Sequence, residues 1–134
     1  MHMARKELAD EALTHAVIGC FFEVYNTLKF GLLESHYSRA LEWELVRRGH
    51  QIAREFAVRI SYKGIDLGVQ RIDFVVDEKL VVEIKSTQEL HKAAMRQVYS
   101  YLRASNLELG LLLHFGPEAK FYRVYVPNDP KPGR

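Results

Sequence analysis

Two strand-like segments around a short polar turn constrain this chain more than any other feature. Val69 to Val76 and Leu80 to Ser86 are rich in β-branched residues, and Asp77-Glu78-Lys79 between them is turn-forming. With 77–79 as a three-residue loop, Val76 opposes Leu80, and counting back along both strands sets Asp73 opposite Glu83. Side chains alternate along a strand, so Glu83 and Lys85 project from one face, together with Asp73, Val75 and Val81. Ile72, Phe74, Val82 and Ile84 fill the other. Both faces are largely apolar, which puts this hairpin in the interior of its sheet. Charges in such a place need partners. Carboxylates opposed at roughly 5 Å between Cβ atoms destabilise a sheet unless a cation sits between them. The pattern predicts a metal site; the ordinary alternative is a solvent-facing strand whose Asp, Glu and Lys form weak surface pairs.

The rest of the chain supplies the elements that would enclose such a hairpin. Leu13, Val17, Cys20, Val24 and Leu28 recur at helical spacing over Glu7 to Leu28, and the Lys29-Phe30-Gly31 break ends that helix, Gly31 being suited to a left-handed cap. A second helix is predicted from Leu33 or Glu34 to Arg48, closed by Gly49. Gln51 to Tyr62 alternates as a strand, and Lys63-Gly64-Ile65-Asp66 reads as the turn into the central hairpin. Glu89 to Ser105 is helical, Leu109 to Phe115 has the continuous apolar character of a buried strand, and Lys120 to Val126 forms a last strand. The order is ααβββαββ, an α/β sandwich with a mixed sheet flanked by helices. Residues 1–126 make one domain, while 127–134, with three prolines and a glycine, form a flexible tail. Met1-His2-Met3 reads as an appended leader before the native start.

Composition excludes several classes. At 134 residues and 48% hydrophobic, the chain can bury one real core. A net charge of +2 permits a local basic groove without requiring one. Cys20 is the sole cysteine, so disulfides and thiolate metal clusters are excluded and a core thiol is expected. No segment approaches the roughly 20 apolar residues of a membrane span, and no signal-peptide core is present, so a soluble cytoplasmic protein is expected. The six histidines lack HExxH spacing, and His114 inside an apolar strand reads as a satisfied core residue. Walker, GxGxxG and GxSxG motifs are absent.

Three weaker constellations remain. Glu34 shares a helix face with Tyr37 and Leu41, at the buried end of an apolar stripe, either as a third site carboxylate or as a partner of the helix dipole. Gln97 and Tyr101 lie at i and i+4, a spacing that more often marks a helix-surface pair than a site. Lys63, Arg71, Lys92, Arg96 and Arg103 either line a groove around the carboxylates or form a solvated face.

Gly31-Leu32-Leu33-Glu34-Ser35-His36-Tyr37 resembles the signature of the GxxExxY family, a branch of the PD-(D/E)xK nuclease-like superfamily. The resemblance runs from about Val17 to Gly116. It takes in the D…ExK set at Asp73, Glu83 and Lys85, Gln97…Tyr101 followed by Leu102, and the strand from Gly110 to Gly116. The superfamily's proline before the first Asp is replaced by Ile72.

That resemblance implies a restriction-endonuclease-like αβββαβ core with an extra N-terminal helix. It also implies a nuclease hydrolysing phosphodiester bonds in nucleic acid, DNA being favoured over RNA, in-line, to leave a 5′-phosphate. Asp73, Glu83 and the Ile84 carbonyl would ligate Mg²⁺ or Mn²⁺, with Glu34 helping directly or through water. Lys85 would orient or activate the attacking water, and Gln97 and Tyr101 would support the site or touch the nucleic-acid backbone beside Arg71 and Arg96. The alternative is a non-catalytic nucleic-acid- or partner-binding module that keeps the fold, with specificity from a homodimer or a protein partner.

Overall fold

The computed structural model describes residues 5–128. Their elements are α1 (Arg5–Leu28), α2 (Glu34–Arg47), β1 (Ile52–Tyr62), β2 (Ile65–Val76), β3 (Leu80–Lys85), α3 (Lys92–Ala104), β4 (Leu109–Phe115) and β5 (Ala119–Tyr125). The ααβββαββ order matches the sequence pattern. The expected leader at residues 1–3 and the tail past residue 128 lie outside the described residues.

The sheet runs β1-β2-β3-β4-β5. Neighbours pair antiparallel except β3 and β4, which are parallel and joined through α3. β3 is therefore central, and Leu80 to Ile84 are all buried, as a strand covered on both faces requires. On one face Phe74, Val76, Val82, Ile84, Leu111 and Phe115 pack against Val17, Phe21 and Val24 of α1 and Tyr37, Leu41 and Leu45 of α2. On the other, Val75, Val81 and Leu112 pack against Ala94, Val98, Tyr101 and Leu102 of α3. Fully burying side chains of this kind stabilises by about 1.5–3 kcal/mol each relative to exposure. α3 can sit this close because Gly110 lacks a side chain: a Cβ there would lie 2.6 Å from Val98 Cγ1. The core thiol expected at Cys20 is buried and free. No helix among the described residues is long and apolar enough to cross a membrane.

Several sequence expectations shift. Lys29, not Gly31, follows α1 in the left-handed conformation (φ 60°), its N–H bonded to the Tyr25 carbonyl at 2.8 Å. β2 begins at Ile65 rather than Val69, because Lys63 and Gly64 alone make the turn and Ile65 already pairs with Tyr62. The outer part of this β1–β2 ribbon extends past the core, leaving Tyr62, Ile65, Leu67 and Val69 exposed. α3 starts at Lys92, three residues later than predicted, since His91 is still extended. Ile72 packs with Val75 on the α3 side instead of sharing a face with Phe74. Strict alternation fails there because the β2–β3 ladder, intact at Val76–Leu80, Val75–Val81 and Phe74–Val82, stops before Asp73.

Candidate active site

Where the ladder stops, side chains take over from backbone pairing. The Asp73 N–H donates to Glu83 Oε1 at 3.3 Å, and the Ile84 N–H donates to Asp73 Oδ2 at 2.8 Å. Each carboxylate thus caps a main-chain group of the opposite strand at the point where β2 and β3 part. The three-residue loop at 77–79 fixes this register, with Val76 opposite Leu80 as the sequence implied. Lys85, two residues on and on the same face, brings Nζ to 3.5 Å from Glu83 Oε2.

Electrostatics here are unfavourable for two ionised acids. Glu83 is 2% exposed. Its carboxyl is pushed up to about 8, first by burial, then by the charge of Asp73 and their mutual hydrogen bonding; Lys85 only partly offsets this. Two acids are held close, with one cation that leaves the repulsion incompletely relieved.

Glu34 approaches from the other side. It opens α2 and remains exposed, so it sits at the rim and not at the buried end of its helix stripe as the sequence suggested. Its pKa is raised by desolvation and by Asp73, and lowered by Lys85 and a Ser86 backbone hydrogen bond, which puts it in the field of the same cluster. The local sequence explains its placement. Gly31 takes φ 118°, a conformation that favours glycine, and lets the chain turn between α1 and α2. The Tyr37 hydroxyl donates to the Lys29 carbonyl and accepts the Leu32 N–H, while its ring stacks on Phe115 at 4.2 Å. Ser86 Oγ donates to the Leu32 carbonyl at 2.9 Å, fastening this loop to the end of β3. Glycine, glutamate and tyrosine at this spacing therefore form one structural unit that holds Glu34 beside Lys85.

The pocket over the carboxylates, about 350 Å³, is lined by Arg71, Ile72, Asp73, Glu83 and Gln97. Gln97 and Arg71 thus join the cluster. Arg96 is exposed on α3 and does not line this pocket. Tyr101 does not line it either; it is buried one turn along α3 and faces a neighbouring apolar cleft, with a hydroxyl that has no hydrogen-bond partner among the described residues. Lys63 lies at the ribbon tip over the Tyr62 ring. Among the described residues no three His, Cys, Asp or Glu side chains converge as a ready metal cage, so Glu34 does not complete a direct three-carboxylate set with Asp73 and Glu83. The donors that do meet are hard oxygens, which suit a small divalent cation that keeps most of its waters. Such a cation would also relieve the repulsion at Glu83, so the residues fit a bound Mg²⁺ or Mn²⁺.

His114 is the satisfied core histidine that was expected: it is buried, and its Nε2 meets the Thr87 carbonyl at 2.8 Å and Thr87 Oγ1 at 3.1 Å, pinning the loop after Lys85. Two features of the neighbourhood escaped sequence reasoning, and Thr87 is the first. Thr87 itself carried no signal. The second is the anchor of the hairpin turn, where His50 Nδ1 and Asp77 Oδ2 are 2.7 Å apart and the Gln51 N–H donates to Asp77 Oδ1 at 2.8 Å. Partners 26 and 27 residues apart leave no periodic trace.

Residues 11–124 match the family model of the PD-(D/E)XK nuclease superfamily, and the chain belongs to that superfamily. Among solved structures it is similar to the crystal structure of SSO0001, with 20% identity and a TM-score of 0.53 over 72% of this chain. The likeness supports the restriction-endonuclease-like fold. This chain spans 52% of that protein's length. None of the curated proteins matches it.

Proposed function

We propose that this protein is a metal-dependent nuclease of the GxxExxY branch, hydrolysing phosphodiester bonds in DNA. The observation that carries the reading is the split of β2 from β3, which brings Asp73 and Glu83 together under one pocket, with Lys85 Nζ 3.5 Å from Glu83, at a cost in repulsion between the acids. Asp73, Glu83 and the Ile84 carbonyl would hold Mg²⁺ or Mn²⁺, which supplies positive charge for the phosphoryl oxygens and lowers the pKa of a bound water. Lys85 adds a fixed ammonium that orients the attacking water and offsets charge on the phosphate. Glu34, at the rim, acts through water. Gln97 and Arg71 line the pocket and are positioned to steady the nucleic-acid backbone.

The test incubates plasmid and single-stranded DNA with Mn²⁺ or Mg²⁺, comparing wild type with Glu83→Gln and Lys85→Ala. Cleavage should fall at least about a hundredfold in each, the scale of removing one transition-state electrostatic group. Cleavage that survives both substitutions sinks the assignment. The exposed apolar side chains of the β1–β2 ribbon favour one second reading, a module that binds a protein partner or a second copy without cutting. DNA binding with no cleavage and no metal binding by calorimetry would select it.

A further inference from the structure

A second recess lies beside the carboxylate pocket, and its chemistry differs. It encloses about 530 Å³ between β1, β2 and the C-terminal half of α3, within the roughly 300–1,000 Å³ range of small-ligand sites. Phe56, Val58, Val75, Tyr101 and Leu107 make apolar walls. The Phe56 and Tyr101 rings stand edge to face, with centroids 6.4 Å apart, and Phe56 is 44% exposed. Asn106 and Glu78 provide polar groups at its edge.

The two recesses are lined by neighbouring residues of the same strands and helix. Phe56 and Ala57 line the apolar cleft, while their cross-strand partners Ile72 and Arg71 line the carboxylate pocket. On α3, Gln97 lines the carboxylate pocket and Tyr101, one turn later, lines the cleft. One turn of helix is about 5.4 Å, so a group seated in the cleft lies next to one seated over the acids. We propose that the cleft receives an unpaired nucleobase adjacent to the scissile phosphate, so that the substrate is single-stranded or locally unpaired nucleic acid. This rests on the nuclease reading above and names its substrate class. A base within a duplex is stacked on both sides and cannot enter a side cleft, whereas an unpaired base can leave solvent for an aromatic wall. Charge fixes the orientation. The Glu78 carboxylate repels phosphate from the far end, and Arg71 attracts it toward the acids. Glu78 also favours a base that presents an amino group, because a carboxylate can only accept, while the Asn106 amide can pair with a donor or an acceptor.

The probe is a short single-stranded DNA carrying one 2-aminopurine, titrated in calcium buffer by fluorescence, with the same strand hybridised to its complement as comparison. Wild type should quench the single strand and bind it at least tenfold more tightly than the duplex. Phe56→Ala should lose the quench and weaken binding at least fivefold, and Phe56→Trp should restore both. Since Phe56 is partly exposed, its circular dichroism and melting serve to show that the alanine variant is folded. In Mn²⁺, placing an abasic residue along the strand should suppress cleavage at one adjacent bond. Cleavage of duplex and single strand alike, with Phe56→Ala behaving as wild type, overturns the inference and leaves the nuclease reading intact. A Phe56-dependent quench without cleavage by wild type removes the nuclease reading and leaves a base-binding cleft.

Discussion

The two ends of the β2–β3 hairpin carry the same chemical group in opposite circumstances. At the turn, Asp77 meets His50 and the Gln51 N–H. Burial pushes its pKa up, but those hydrogen bonds and the charges of His50 and Lys79 outweigh it, and the pKa is lowered. At the open end Glu83 has a second acid beside it and is raised. One end of the hairpin spends its carboxylate on holding the fold; the other keeps two under repulsion. A hairpin concerned only with stability would have no reason for the second arrangement.

The largest test of that contrast is divalent metal. A cation that binds the native state alone stabilises it by mass action, roughly 2.7 kcal/mol at a hundredfold excess over the dissociation constant. Millimolar Mn²⁺ should therefore raise the melting temperature of wild type by something on the order of 10 °C. Asp73→Asn should lose most of that rise, and Asp77→Asn should keep it. Thermal melts in chelator and in Mn²⁺ check both; a full shift in Asp73→Asn breaks the comparison, because the crowded acids are then not the ligands.

Next comes pH, in the metal-free protein. Glu83 has a native pKa above its ordinary 4.5. Between about 4.5 and about 8 the folded state keeps a proton that the unfolded chain has released, so stability should fall as pH rises through that window. Glu83→Gln should flatten this slope, melting close to wild type near pH 4.5 and above it near pH 8 in chelator. Lys85 attracts the ionised form, so Lys85→Ala should extend the fall to higher pH.

What the sequence disclosed follows from how local each determinant is. The hairpin register was legible because a three-residue loop and strand alternation fix every pair up to Phe74–Val82. The inward stripes of α1 and α2, with Val17 and Leu41, were legible for a similar reason, since periodicity reports one face of one element. Ile72 was misassigned because the strands part at Asp73, an event produced by side chains of two strands together. Glu34 was placed too deep because helix spacing gives direction and not distance from the helix end. Tyr101 was grouped with Gln97 because i and i+4 share a helix face, yet that face spans two different recesses.

A second pair of groups sharpens the contrast between satisfied and unsatisfied burial. Tyr37 and Tyr101 are both fully buried. The Tyr37 hydroxyl is paired on both sides, to Lys29 and Leu32, whereas that of Tyr101 has no partner among the described residues and its pKa is pushed up to about 12 by desolvation. Leaving a buried polar group unpaired costs about 1–3 kcal/mol. Tyr101→Phe should therefore raise stability and Tyr37→Phe lower it, each by about 1–2 kcal/mol, as read by urea denaturation. Equal destabilisation by both would show that the Tyr101 hydroxyl has a partner in solution.

The smallest expected effect belongs to the well-paired end. Asp77→Asn keeps an oxygen able to accept the Gln51 N–H but removes the charge that faces His50. The pair is partly exposed, so solvent screens it and the loss at pH 7 should be only about 1 kcal/mol. Its pH dependence runs opposite in origin to that of Glu83. A lowered carboxylate pKa contributes stability above the ordinary value of 3.8, and that contribution is lost as pH falls through the native pKa. Wild type and Asp77→Asn should thus differ at pH 7 and converge toward pH 3. Glu83→Gln and its parent should instead separate as pH rises. Replacing an acid by its amide then changes stability with opposite signs at the two ends of one hairpin. Urea denaturation of both variants at pH 3, 5 and 8 measures it directly, and a destabilising Glu83→Gln at pH 8 would mean that the Lys85 pair, and not the Asp73 repulsion, governs the open end.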